Sequence, residues 1–229
     1  MDAIKFGTDG WRAVIADGYT FANLERVARA TGQWLRRHHG DSPSGPSVVV
    51  GYDTRFQGAA FAAHAARVLG SMGVRVRLAR SFVTTPAVSW ATVDGGHSAG
   101  VVITASHNPP EYNGFKIKAD YGGPATPEMT AEVEAEMTRL ERLGTPLPTF
   151  KELLADGRIE LRELVDDYLD LLRQRLDIDA IRSAGLRIAH DAMYGAGQGL
   201  VSRLLGAENV VEVRCDWNPG FKGGAPEPI

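Results

Sequence analysis

Residues 47–79 read SVVVGYDTRFQGAAFAAHAARVLGSMGVRVRLA. Three consecutive valines before Gly51 make a short continuous apolar run, the pattern of a buried strand. From Gly58 to Met72 the period changes. Phe61, Ala65, Val68, Leu69 and Met72 share one helical stripe, and Gly73 caps it. VRVRLA then alternates apolar residues with arginine, which predicts a strand with one wetter face.

The same grammar extends in both directions. TFANLERVARATGQWLRRHH (20–39) places Leu24, Val27, Ala28, Thr31, Trp34 and Leu35 on one stripe. Thr20 suits the N-cap, four basic residues suit the negative end of the dipole, and Gly40 supplies the stop. Thr85-Pro86 opens a further helix, and GVVIT from Gly100 is a third strand. Strands alternating with helices at this spacing predict an α/β domain with a largely parallel sheet.

Beyond Lys118 the loop YGGPATPE leads into a helix expected over 127–143, and GTPLPTFKELLADGR (144–158) reads as a connection. ELVDDYLDLLRQRL (163–176) is helical, with Leu164, Tyr168, Leu171 and Leu172 aligned. A new strand starts at GLRIAHDAM, followed by the glycine-rich turn YGAGQG, a short helix and the strand VVEVRC. The expected organisation is a first domain over 1–150, a connecting helical segment over 151–182, and the start of a second, incomplete α/β domain over 183–229. A βαβ fragment alone cannot close a sheet.

The totals narrow the classes. With 229 residues, 44% apolar, the chain can build one sizeable core or two small ones. A formal net charge of -3 argues against a nucleic-acid-binding face. The single cysteine, Cys215, excludes an intrachain disulfide and reads as a small buried strand residue. The N-terminus lacks the basic start and apolar core of a secretion signal, and no apolar run approaches bilayer length. A cytoplasmic protein without membrane partners is the expectation.

Chemistry concentrates in VVITASHNPPEYNGFKIKAD (101–120). Ser106 lies just past a strand, where open parallel sheets collect ligands. Its hydroxyl is either a turn group or a phosphoryl carrier. Asn108-Pro109-Pro110 restricts the loop, and His107 and Asn108 add donors. Asn113-Gly114 is a turn signal leading into Phe115–Lys118, whose alternation puts Lys116 and Lys118 on one face. Those lysines belong either to a soluble edge strand or to the serine loop's surroundings. A phosphate on Ser106 would bring about -1.5 to -2 charges and explain the crowd of donors. Arg55 in GYDTR either anchors this site or pairs with Asp53. YGAGQG lacks the GxGxxG spacing and reads as helix–strand packing. His64 and His97 are assigned to structure, and Asp177 and Asp179 to a loop or helix edge.

ITASHNPPEYNGFKI resembles the active-site serine loop of the α-D-phosphohexomutases, in the phosphoglucomutase/phosphomannomutase branch. FGTDGWR, GYDTR, TTPAVSWA, YGGPATPE and HDAMYGAG support the resemblance in order along the chain. It implies an α/β/α domain with a mostly parallel mixed sheet, followed by part of a second α/β domain. It implies a phosphotransferase that interconverts hexose 1-phosphate and hexose 6-phosphate through a bisphosphorylated sugar, glucose being the first expectation and mannose the second. Ser106 would carry the phosphate and bind Mg²⁺ through it, with hexose 1,6-bisphosphate as intermediate and activator. Lys116 would be the general acid/base, Arg12 would reach the phosphoserine, and His107 and Asn108 would orient the loop and the transferring phosphate, with Asn108 among the phosphate-binding residues. Asn113 and Arg55 would contact phosphate or substrate.

The family's acidic D-G-D-A-D-R metal loop has no counterpart between Met1 and Ile229. The chain is therefore expected to be an N-terminal portion, inactive alone, with association through its second domain. Two other readings compete. One is a non-catalytic module that binds sugar phosphates or a partner. The other is a serine hydrolase, which the lack of a G-x-S-x-G elbow disfavours.

Overall fold

Valine-rich strands and the alanine-rich helix between them place the sheet at the centre. The computed structural model describes residues 4–7, 10–43, 45–140 and 146–227. Its elements are β1 (Trp11–Val14), α1 (Phe21–His39), β2 (Ser47–Tyr52), α2 (Gly58–Ser71), β3 (Arg75–Ala79), α3 (Thr85–Asp94), β4 (Ala99–Ile103), β5 (Tyr112–Ala119) and α4 (Pro127–Arg139). There follow α5 (Phe150–Ala155), β6 (Ile159–Arg162), α6 (Leu164–Arg175), α7 (Ile178–Ser183), β7 (Ile188–Asp191), α8 (Leu200–Leu205) and β8 (Val210–Val213). Thr8 and Asp9 of FGTDGWR, and the end of the helix expected to reach Leu143, lie outside the described residues.

Six strands form one mixed sheet in the order β1-β5-β4-β2-β3-β6. β4, β2, β3 and β6 run parallel, while β5 is antiparallel to both β4 and β1. Alternation sorts the strand residues into two cores. Val48, Val50, Val101, Ile103, Phe115 and Ile117 pack under α1, α2, α4 and α5. Val49, Ala79 and Val102 pack against Ala87, Val88 and Ala91 of α3 and Leu164 of α6. The result is three layers, helix on sheet on helix.

Local signals act as read at several ends. The Thr20 hydroxyl accepts from Asn23 N–H at 3.2 Å and starts α1. At the end of α2, Gly73 N–H reaches Gly70 O and Val74 N–H reaches Leu69 O, the paired bonds of a Schellman stop. Asp177 caps α7 by accepting from Ala180 N–H at 2.9 Å, so it holds a helix edge.

Four expectations change. Asn113-Gly114 makes no turn; both residues lie inside β5. The reversal falls earlier, across 106–111, where the two prolines and a positive-φ serine already bend the chain. Segment 144–158 is more than a connection: it carries α5, started by a Thr149–Glu152 capping box. That helix delivers β6 to the first sheet, so strand residues 159–162, expected in the connecting segment, belong to the first unit. Cys215 follows β8 instead of lying in it and is half-buried.

The second unit is smaller. β7 and β8 pair in parallel, and Leu204, Leu205 and Val210 pack with Leu169 and Ile178. Thus α6 faces two ways, with Leu164 in one core and Leu169 in the other. Among the described residues no helix is long and apolar enough to cross a membrane.

Candidate active site around Ser106

The parallel strands β2, β3 and β4 end on one side of the sheet, and the loops after them converge there. Their residues Asp53, Thr54, Val83, Thr84, Thr104 and Ser106 line one cavity of about 240 Å³. The second unit closes the far wall with Ala192, Met193, Gly195 to Gly197 and Phe221. The N-terminus of α3 forms part of the rim at Thr85 and Pro86, with no acidic side chain in its first turn. A helix start of that kind favours an anion.

Ser106 is exposed and takes φ 58°, the left-handed region that costs a serine about 1–2 kcal/mol. Asn108 N–H closes the turn onto Ala105 O at 3.1 Å. The Ser106 amide donates to Thr104 Oγ1 at 3.0 Å, and that hydroxyl donates to Asp53 Oδ2 at 2.5 Å. Asp53 Oδ1 in turn accepts from Arg55 N–H at 3.0 Å. A continuous chain of bonds therefore fixes the serine's backbone, and the residue borders the cavity.

Arg55 is the strut of this arrangement. Its guanidinium is fully buried and lies 3.3 Å from Asp53 Oδ2 as an ion pair. Nη1 donates to Pro109 O at 2.8 Å and Tyr112 O at 3.0 Å. Nη2 donates to Ser106 O at 2.8 Å and Asn108 O at 2.6 Å. Four carbonyls of one loop thus point at one planar cation, a geometry that only the arginine fork supplies. Phe221 of the second unit covers it, with Cζ 5.1 Å from the ring centroid. Burial lowers the Arg55 pKa, opposed by Asp53; burial raises that of Asp53, opposed by Thr104 and Arg55. The phosphate contact expected of Arg55 is therefore replaced by a structural role: the side chain is fully buried, both Nη groups hold the serine loop, and Nε faces Asp53.

The remaining candidates separate. Arg12 on β1 donates from Nη1 to Asn108 Oδ1 at 2.7 Å, so these two candidates come together on the serine loop. His107 is exposed on the same turn. Asn113 is corrected: it is fully buried, its Oδ1 accepts from Gly114 N–H at 2.8 Å and its Nδ2 reaches Phe56 O at 3.5 Å. It shapes β5 and cannot touch a ligand. Gly114 beside it is required by crowding, because a Cβ there would lie 2.5 Å from Thr104 O and 2.7 Å from Trp11 O.

Lys116 and Lys118 are 4% and 7% exposed. They are no charged edge, since β5 lies between β1 and β4. Lys116 pairs with Val102, close to the start of the serine loop, and a Cβ at Gly10 would lie 2.9 Å from its Cγ. A lysine is rarely buried unless its charge is used, so Lys116 keeps its place as a candidate. His64 and His97 are displaced from the site, on α2 and before β4 respectively.

Sequence reasoning missed Asp53, Thr104, Thr54 and Phe221 as parts of the site. Thr54 Oγ1 donates to Tyr194 O at 2.7 Å, tying the GYDTR loop to the YGAGQG turn 140 residues away. A readable signal existed for Asp53: an Asp-x-Arg triplet directly after a buried strand already places both charges at the ligand end of the sheet.

The chain matches the family model for phosphoglucomutase/phosphomannomutase, alpha/beta/alpha domain I, over residues 3–143, and that for domain II over residues 166–229. It is 30% identical over 240 residues to the phosphoglucomutase of Staphylococcus haemolyticus, covering 98% of this chain and 42% of that protein. It is 37% identical over 208 residues to the phosphoglucosamine mutase of Levilactobacillus brevis, covering 90% of this chain and 44% of that protein. A crystal structure from Thermus thermophilus, provisionally named a phosphomannomutase, superposes with a TM-score of 0.87 at 37% identity, over 100% of this chain and 49% of that one. The chain spans less than half the length of the curated relatives it matches.

Proposed function

We propose, for a chain that belongs to the phosphoglucomutase/phosphomannomutase family, that Ser106 accepts and donates a phosphoryl group in the interconversion of hexose 1-phosphate and hexose 6-phosphate. The observation that carries this is the built loop. An exposed serine in a strained conformation is held by a buried arginine on four carbonyls, at the open ends of parallel strands. Strain maintained by such a network is characteristic of sites whose geometry matters.

Phosphoryl transfer depends on positioning and charge stabilisation. In this reading the Ser106 oxygen attacks one phosphorus of a hexose bisphosphate, its proton leaves, and the sugar oxygen departs as the monophosphate's hydroxyl. That bisphosphate forms in the preceding step, when phosphorylated Ser106 gives its phosphoryl group to the free hydroxyl of the starting monophosphate. It turns round before the Ser106 oxygen attacks the other phosphorus, so the product is the isomer. Arg12 and the start of α3 offset the phosphate charge, Asn108 keeps Arg12 in place, and Lys116 exchanges the sugar hydroxyl's proton. Glucose, mannose and glucosamine phosphates are all candidate substrates, given the names of the relatives.

Magnesium would neutralise the phosphate when bound. The described residues do not make its cage: Asp53 is the one carboxylate among them lining the cavity, and Thr104 and Arg55 hold it. A phosphate on Ser106 would then be this chain's own ligand to the ion.

The test is phosphorylation of the protein itself. Protein purified from cells should carry one added phosphate by intact mass, mapped to Ser106 and missing from Ser106→Ala. A phosphate that maps elsewhere, or none under conditions where the chain is folded, overturns the proposal.

A further inference from the structure

Away from Ser106, the parallel register of β7 and β8 sets His190 directly opposite Glu212. His190 Nδ1 lies 2.8 Å from Glu212 Oε2, and Cys215 Sγ lies 2.6 Å from the same oxygen. The three ligand atoms all fall within 4.8 Å of one another, in a half-buried cluster. None of the three lines the cavity at Ser106. The other carboxylate oxygen is already oriented: Ser202 of α8 donates to Glu212 Oε1 from its hydroxyl at 2.5 Å and from its amide at 3.3 Å.

We propose that His190, Glu212 and Cys215 form a site for a thiophilic divalent cation of the zinc class. A thiolate, an imidazole nitrogen and a carboxylate oxygen are together the donor set of zinc, and the sulfur argues against magnesium or calcium. Zinc bonds of about 2.0–2.3 Å require the three donors to open by about 1 Å, which the loop after β8 can supply from Cys215. Binding releases the thiol proton to solvent, and the half-exposed side of the cluster leaves a fourth position for water. Ser202 acts as the outer partner that aims the carboxylate. The two-stranded sheet gains a link between β7, β8 and the following loop, so metal loading stabilises the second unit.

Zinc binding to the whole 229-residue chain, stripped with a chelator beforehand, tests this by competition with a chromophoric chelator. The expected result is one zinc per chain and a higher melting temperature on loading. Cys215→Ser and His190→Ala each weaken binding by more than the roughly 10–100-fold that loss of an outer partner costs, while Ser202→Ala falls within that range. Cobalt substitution gives a thiolate-to-metal charge-transfer band that Cys215→Ser abolishes. Zinc-free parent protein at micromolar metal overturns the proposal, whatever the variants do. So does stoichiometric zinc held equally well by Cys215→Ser, and a cobalt complex without the thiolate band. Serine phosphorylation is read separately by mass, so failure of one proposal leaves the other standing.

Discussion

Arg55→Lys isolates the strut from its charge. Lysine keeps the cation beside Asp53 but brings one nitrogen where arginine brings two forked ones, so it cannot reach the carbonyls of Ser106, Asn108, Pro109 and Tyr112 together. Hydrogen bonds to charged groups contribute about 1.5–3 kcal/mol each, and at least two are lost. Pro109 is exposed, so water recovers part of that loss. The expected cost is about 3 kcal/mol, a large share of the roughly 5–15 kcal/mol that holds a domain folded. Thermal unfolding should fall by about 6–12 °C. Native-state hydrogen exchange should show the amides of 105–112 opening faster by a larger factor than those of β2. Arg12→Lys, which keeps the charge and changes the bond to the Asn108 side chain, is the comparison and should leave the exchange of 105–112 closer to the parental rate than Arg55→Lys does. If Arg55→Lys melts within roughly 1–2 °C of the parent and the loop exchanges at the parental rate, the strut argument is wrong.

Ser106→Gly relieves the left-handed strain and should leave stability unchanged or raise it by about 1 kcal/mol, while removing the hydroxyl proposed to accept phosphate; clear destabilisation in urea would show that the serine conformation is not strained. His97 is 8% exposed, and burial, with Arg77 and Arg75 nearby, lowers its pKa to about 4. Its unfolded form takes up a proton near pH 6.5, so the folded state loses stability as pH falls from there towards 4, by at most about 3 kcal/mol. His97→Gln should flatten that part of the stability profile, and a parallel slope in both proteins would count against it.

Periodicity told the two halves of the site apart unequally. The βαβ pattern, the α1 cap and the serine loop's position after β4 were all legible because each depends on neighbours within a few residues. Asn113-Gly114 misled for the opposite reason. The pair normally signals a hairpin, yet Gly114 is needed where β1 and the Thr104 carbonyl press on β5. Of the two readings the sequence left open for Lys116 and Lys118, the charged edge strand falls because β5 inserts antiparallel between β1 and β4 and buries both. Strand order is a long-range property, and no local window carries it.

The amino-acid sequence alone determined the α/β class and the family resemblance, and the resemblance put forward Ser106, Arg12 and Asn108 as candidates for one site. The class follows from hydrophobic period and turn chemistry, and the resemblance from a specific loop string with further segments in order along the chain. Only the tertiary structure decided that Arg55 serves the loop's backbone instead of a phosphate, that Asn113 is sealed in the core, and that His190, Glu212 and Cys215 meet. Each of these depends on which atoms a folded chain leaves for a buried donor to satisfy. That accounting is made in three dimensions, between residues tens of positions apart.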